Sequence, residues 1–189
     1  MGRRYQAILT YLNKPFRCFD IADDYIEIVE NSKWADAVIL ATPTETHYHY
    51  LRSLMLYGIP VLCEKPISKE VDEIVSICDT YPLANLTMMM QYKCLDYPNH
   101  EGDSLYNYYN TGKDGLLWDC MQIIALGRGK VTLLNKSPIW TCILNGKRIE
   151  FSKMDKAYID YVEEWLAKPG QDMSYLKRIH MKVHQYAKQ

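Results

Sequence analysis

Three segments of this 189-residue sequence place polar or charged residues directly after apolar, strand-like runs. Asp20 follows Phe16-Arg17-Cys18-Phe19. Thr42-Pro43-Thr44 follows Asp36-Ala37-Val38-Ile39-Leu40-Ala41, and Glu64-Lys65-Pro66 follows Pro60-Val61-Leu62-Cys63. A carboxylate at such a strand end can accept hydrogen bonds from both hydroxyls of a ribose and repel a 2′-phosphate. A solvated turn carboxylate is the plainer role for Asp20. Lys65 could supply a positive charge or a proton donor beside a substrate hydroxyl; a surface lysine is its plainer alternative. His180 and His184 stand four apart on a helical stretch, a spacing that suits a metal. With no third ligand in view, a solvated helix face accounts for them. The cysteines are Cys18, Cys63, Cys78, Cys94, Cys120 and Cys142, widely spaced and without a C-x-x-C pair. They read as reduced, buried thiols acting as small hydrophobes.

The elements that would position these groups alternate. Tyr5, Ile8, Leu9 and Leu12 have helical spacing, ended by Asn13-Lys14-Pro15. Phe16 to Phe19 reads as a short strand. Asp23 to Ser32 reads as a helix with Ile26 and Val29 inward. Asp36 to Ala41 has the continuous apolar character of a parallel strand covered on both faces. Thr44 can cap a helix to Tyr57, with His47, Leu51, Leu54 and Met55 on one stripe and Gly58 as its stop. Pro60 to Cys63 is the next strand. Ser68 caps a helix with Val71, Ile74, Val75 and Cys78 inward, and Leu86 to Met90 is a further strand. Helix and strand thus alternate with short connections, the signature of a doubly wound parallel sheet. In such a sheet ligands bind at the carboxyl ends of the strands.

Beyond residue 98 the alternation gives way to a small α+β region. Tyr106 to Asn110, Val131 to Leu134 and Ile139 to Leu144 read as strands, and Asp114 to Leu126 reads as a helix. Asn145-Gly146 is a type I′ hairpin signal leading into Arg148 to Phe151. Asp155 caps a helix with Tyr158, Val162, Trp165 and Leu166 inward, and a last helix runs from about Met173 to Ala187. The expected division is 1–98 and 99–189.

Composition narrows the class. Lys+Arg total 22 and Asp+Glu 23, a net charge of −1. No basic excess points to nucleic acid and no polybasic run to a membrane surface. No apolar run approaches the length of a membrane span, and no apolar signal core follows Met1. The expectation is a cytoplasmic protein.

Two of the three segments stand in a longer pattern. Asp36-Ala-Val-Ile-Leu-Ala-Thr-Pro-Thr-Glu-Thr-His47, then Gly58-Ile-Pro-Val-Leu-Cys-Glu-Lys-Pro66, resembles the Gfo/Idh/MocA family: a strand, A-T-P, a histidine four residues after the proline, then G-x-x-V-L-x-E-K-P. The resemblance implies a Rossmann-like doubly wound sheet that binds NAD or NADP. It implies that Thr42, Pro43 and His47 lie in the loop under the nicotinamide. Glu64, Lys65 and Pro66 would form the floor of the active site, with Lys65 the catalytic lysine. Met1-Gly2-Arg3-Arg4-Tyr5 resembles the end of the family's G-x-G-x-x-G turn, with Gly2 its last glycine and Asp20 near the expected spacing of about 20 residues. The strand and glycines before that point are not in this sequence, so the sheet is expected to lack its first strand. A start further upstream, a trimmed chain or a compensated deletion would each explain this.

The family's D-x-x-x-H motif aligns with Asp119-Cys-Met-Gln-Ile123. Asp119 matches the aspartate, implying a catalytic role. Ile123 stands where the histidine would be and cannot move a proton; Gln122 could only orient a substrate, and His100 is a remote substitute. Leu86 to Pro98 and Asp155 to Leu166 resemble the crossover and late helix of the family's substrate domain, here reduced to about 90 residues and expected to help form a homo-oligomer. Two functions follow from the resemblance: an NAD(P)-dependent oxidoreductase acting on a small-molecule sugar, polyol or sugar-derived acid, or a degenerate member that binds a nucleotide or a protein partner without turnover.

Overall fold

A computed structural model describes residues 1–20, 22–94, 105–110, 130–135, 141–144, 147–150 and 154–187. The chain divides into two compact units. The first is Met1–Met89 with Tyr161–Arg178, and the second is Met90–Asp160 with Ile179–Gln189.

The first unit is built on a parallel sheet in the order β1 (Val38–Leu40), β2 (Val61–Cys63), β3 (Leu86–Met88). Register aligns Val38 with Val61 and Val61 with Leu86. Two helices, α1 (Gly2–Tyr11) and α2 (Tyr25–Ser32), precede the sheet, and α3 (Thr44–Met55) and α4 (Val71–Thr80) connect its strands. This is the α/β alternation that the sequence predicts. The core is densest at β2, where Val61, Leu62 and Cys63 are each 0% exposed. Fully burying side chains of this size stabilises by about 1.5–3 kcal/mol each. The predicted stripe of α3 is buried in full, with His47, Leu51, Leu54 and Met55 joined by Tyr50. Gly58 follows that helix at φ 67°, a left-handed conformation that glycine adopts without penalty.

The two edges of the sheet differ. β3 alternates its backbone groups between β2 and the outside, and the outward groups of Met88 are taken by side chains. Its N–H donates to Gln171 Oε1 at 3.2 Å, and its carbonyl accepts from Tyr161 Oη at 2.9 Å. Gly170 N–H donates to Thr87 Oγ1 at 3.2 Å. Gly170 has φ 110°, and a Cβ there would sit 3.2 Å from Asn85 Oδ1. β1 pairs with β2 alone among the described residues, and Val38 and Ile39 are half-buried. Among the described residues β1 is therefore an edge of the sheet.

Several local expectations are corrected. Phe16–Phe19 is not a strand: the segment is irregular and Cys18 is exposed. No described strand lies beside it to complete a ladder. Arg17 bonds Asn31 Oδ1 at 2.6 Å and stacks over Phe19 at 4.7 Å. In α2 the inward stripe is Tyr25, Ile28, Val29 and Ser32, and Ile26 is 68% exposed. Tyr25 turns the helix this way: its ring stacks on His49 of α3 and its hydroxyl lies 2.5 Å from Ser53 Oγ. Ser32 tolerates the inward position because its hydroxyl donates to Ile28 O at 2.7 Å. In α4, Ile77 joins Ile74 and Cys78 in the core, while Val71 and Val75 are half-buried.

Three of the expected caps fall elsewhere. α3 begins at Thr44 itself, with Pro43 as N-cap and no side-chain bond. Ser68 lies two residues ahead of the N-cap of α4, accepting from Glu70 N–H at 2.9 Å. The helix expected to be capped by Asp155 already includes it, as α5 (Met154–Ala167). A side-chain cap does form at Asp24, which accepts from Glu27 N–H at 3.0 Å ahead of α2.

The second unit contains a mixed sheet in the order β5-β4-β6-β7, with β4 Leu105–Asn110, β5 Lys130–Asn135, β6 Thr141–Leu144 and β7 Lys147–Glu150. The antiparallel register Leu144↔Lys147 leaves two residues between β6 and β7, as a two-residue connection requires. Residues 145–146 themselves, and the expected helix over 114–126, lie outside the described residues. The last helix, α6 (Met173–Ala187), falls where predicted. His180 corrects its expectation: it is 1% exposed, not on a solvated face.

Candidate functional site

The strand ends Ala41-Thr42-Pro43 and Glu64-Lys65-Pro66 follow adjacent, parallel strands, so the fold brings them to the same edge of the sheet. His47 joins them. Its position on the buried stripe of α3, one turn in, directs the ring between the two loops. Nδ1 lies 2.9 Å from Pro66 O and Nε2 lies 2.9 Å from Thr42 O. The ring is 1% exposed. It donates from whichever nitrogen carries hydrogen, and the two carbonyls it meets belong to the two loops. The sequence pattern that links His47 to these segments thus has a mechanical basis: the imidazole ties one loop to the other.

Glu64 caps β2 and is buried at 7% exposure. A buried carboxylate is costly unless its oxygens are bonded. Oε1 accepts from Tyr5 Oη at 2.5 Å, and Oε2 accepts from Lys65 N–H at 3.1 Å. Tyr5 lies on α1, 59 residues away in sequence. Lys65 is half-buried and precedes a cis peptide bond to buried Pro66. Thr42 also has its hydroxyl engaged, accepting from Thr46 Oγ1 at 2.7 Å. The sequence marked Tyr5 as an inward position and as part of the segment resembling the end of the glycine turn, and not as a partner of Glu64. A buried tyrosine needs a partner for its hydroxyl, which is the signal that the periodicity alone did not carry.

Asp20 is exposed, in a turn where its N–H donates to Asp23 Oδ2 at 2.5 Å and its carbonyl accepts from Asp23 N–H at 2.9 Å. Gly2 is the first residue of α1, and a Cβ built on it meets nothing within 4 Å. Backbone N–H groups at a helix N-terminus suit an anion such as a pyrophosphate. Cys63, beside Glu64, is no nucleophile. Burial first, and the neighbouring Glu64 charge second, push its thiol well above the ordinary value. It is the inert hydrophobe the sequence suggested. Asp119, Gln122, Ile123 and His100 lie outside the described residues. Among the described residues no cluster of His, Cys, Asp and Glu could hold a metal, and no helix is long and apolar enough to cross a membrane.

A parallel sheet with short strand-end loops and a helix N-terminus is the architecture of a dinucleotide-binding type of α/β unit. Residues 9–92 match the Gfo/Idh/MocA model, described as an oxidoreductase family with an NAD-binding Rossmann fold, so this segment, a little under half of the chain, is similar to that family. Inositol 2-dehydrogenase 4 of Saccharopolyspora erythraea is 44% identical over 50 residues, 26% of this chain and 14% of that protein. A glycosyl hydrolase family 109 protein of Streptomyces coelicolor is 26% identical over 110 residues, 54% of this chain and 23% of that protein. The matches therefore span under a quarter of either relative's length. The WlbA (WbpB) dehydrogenase of Thermus thermophilus, solved with NAD and alpha-ketoglutarate, shares the fold at a TM-score of 0.70 with 10% identity, covering 95% of this chain and 88% of that one.

Proposed function

We propose that the chain is an NAD(P)-dependent oxidoreductase acting on a sugar, polyol or sugar-derived acid. The observation that carries this reading is the closed arrangement of the A-T-P and E-K-P loops around His47, with Glu64 buried and bonded beneath Lys65. The residues present suit the cofactor's parts. Asp20 is exposed and could accept from a ribose, a Cβ on Gly2 would meet nothing within 4 Å, which leaves room for a pyrophosphate at the α1 N-terminus, and the loops of Thr42, Pro43, Glu64 and Pro66 would take the nicotinamide end. NAD, once bound, supplies hydride acceptance, and NADH hydride donation.

The chain's own part is positioning and proton handling. Lys65 lies between buried Glu64 and buried Pro66, so its backbone is held while its side-chain nitrogen can orient a reacting hydroxyl, taking its proton as the neutral amine and returning it as the ammonium. Asp119 would position that hydroxyl. Asp20 favours NAD, since a carboxylate at the ribose disfavours a 2′-phosphate. The relatives carry both dehydrogenase and glycosyl hydrolase names, so the likeness supports the cofactor-binding reading and leaves the substrate open. A homo-oligomer in the cytoplasm completes the proposal.

A second reading, a nucleotide- or partner-binding member without turnover, is favoured by Ile123 at the position of the motif's histidine. The test is reduction of NAD or NADP across a panel of inositols, polyols, sugars and sugar acids, with Lys65→Ala beside the native chain. The oxidoreductase reading expects turnover with at least one panel member, abolished in Lys65→Ala while cofactor binding persists. Unchanged turnover in that variant would remove Lys65 from the mechanism. Cofactor binding with no turnover on any member favours the second reading.

A further inference from the structure

Tyr5 is 3% exposed and sits one turn into α1, the helix whose first residue is Gly2. Its hydroxyl meets Glu64 Oε1 at the carboxyl end of β2. The other oxygen of the same carboxylate receives the N–H of Lys65. One side chain therefore connects the helix that would face the cofactor's phosphates with the main chain that carries the proposed catalytic lysine. The chain of contacts is short and largely dry: Tyr5 Oη, Glu64 Oε1, Glu64 Oε2, Lys65 N. Glu64 alone has several rotamers at a strand end. A donor fixed on a helix selects one of them, and the orientation of the carboxylate then sets where Lys65 N–H is accepted. A phenylalanine would fill the same space, so core packing does not by itself demand the hydroxyl.

We propose that Tyr5 is a positioning residue, holding Glu64 and through it the Lys65 main chain in register with α1. Its role in chemistry rests on the oxidoreductase reading; the coupling itself is a property of the chain and can be measured without cofactor.

The variants are Tyr5→Phe, Glu64→Ala and the double variant. Two quantities are read: the Lys65 amide resonance in ¹H–¹⁵N spectra of the cofactor-free chain, and the NADH dissociation constant. Tyr5→Phe is expected to displace the Lys65 amide well beyond amides remote from the site. Adding Tyr5→Phe to Glu64→Ala should then move it no further, because Tyr5 acts through Glu64. Each single variant should weaken NADH binding about tenfold, as loss of a hydrogen bond to a charged group does, and the double variant should lose no more than the larger single loss. An unmoved Lys65 amide in Tyr5→Phe, or losses that multiply in the double variant, would overturn the proposal. If the native chain binds no NADH, the cofactor reading falls and the amide cycle decides the role of Tyr5 alone. Should Tyr5→Phe not melt cooperatively, Glu64→Gln takes its place. It keeps the volume and leaves one acceptor oxygen for two donors, with the same displacement expected at Lys65.

Discussion

Removing the imidazole of His47 should loosen both loops at once. The ring stands 2.9 Å from Pro66 O and 2.9 Å from Thr42 O, at 1% exposure. His47→Ala deletes the ring's N–H donor and strands the carbonyl it serves, at about 1–3 kcal/mol. The void left by the ring adds on the order of 1 kcal/mol. The loss is therefore about 2–4 kcal/mol. That is a large part of the stability of an ordinary domain. Urea unfolding followed by fluorescence of buried Trp165, which belongs to the same unit, reads it out. With a slope of about 2 kcal/mol/M, the midpoint should fall by roughly 1–2 M at unchanged slope. His47→Gln, which retains a donor and an acceptor, should lose about half as much. A His47→Ala midpoint within about 0.25 M of the native value would refute the two-loop tie.

Other expectations are smaller or more local. Asp24→Ala removes the α2 cap bond to Glu27 N–H and should cost about 1 kcal/mol, seen as a lower melting temperature. Alkylation of the folded chain at mildly alkaline pH, mapped by mass spectrometry, should label exposed Cys18 and spare Cys63 and Cys78. Burial, aided by Asp79, raises the Cys78 thiol from 9.0 to about 11, so folding suppresses its ionisation. The sign follows: this thiol favours the fold less as pH rises from 9.0 through about 11, and Cys78→Ala should lose less stability than the native chain over that window. Asp20→Ala should weaken NADH more than NADPH in a binding titration. Equal losses would make Asp20 a turn residue only.

Much of the first unit was legible because burial there is periodic. The α3 stripe, the run from Val61 to Cys63 and the stop at Gly58 follow from local pattern, and the histidine and E-K-P spacing carried the site. The failures share a cause: each depends on a partner far off in sequence. Phe16–Phe19 has strand composition but no described strand to pair with. α2 is rotated because Tyr25 reaches His49 and Ser53 on another helix. His180 is 1% exposed, and its i, i+4 spacing with His184 gave no sign of burial. The caps at Thr44, Ser68 and Asp155 missed by one or two residues, within the usual uncertainty of helix ends. The bond from Tyr5 to Glu64 spans 59 residues, and no local signal specifies it.

The measurement that bears most directly on the proposed function is a titration of the 189-residue chain with NADH, followed by energy transfer from its tryptophans to the nicotinamide. Saturable binding in the micromolar range, roughly −8 kcal/mol, is the predicted result. Absence of saturation at millimolar NADH, weaker than about −4 kcal/mol, would contradict it.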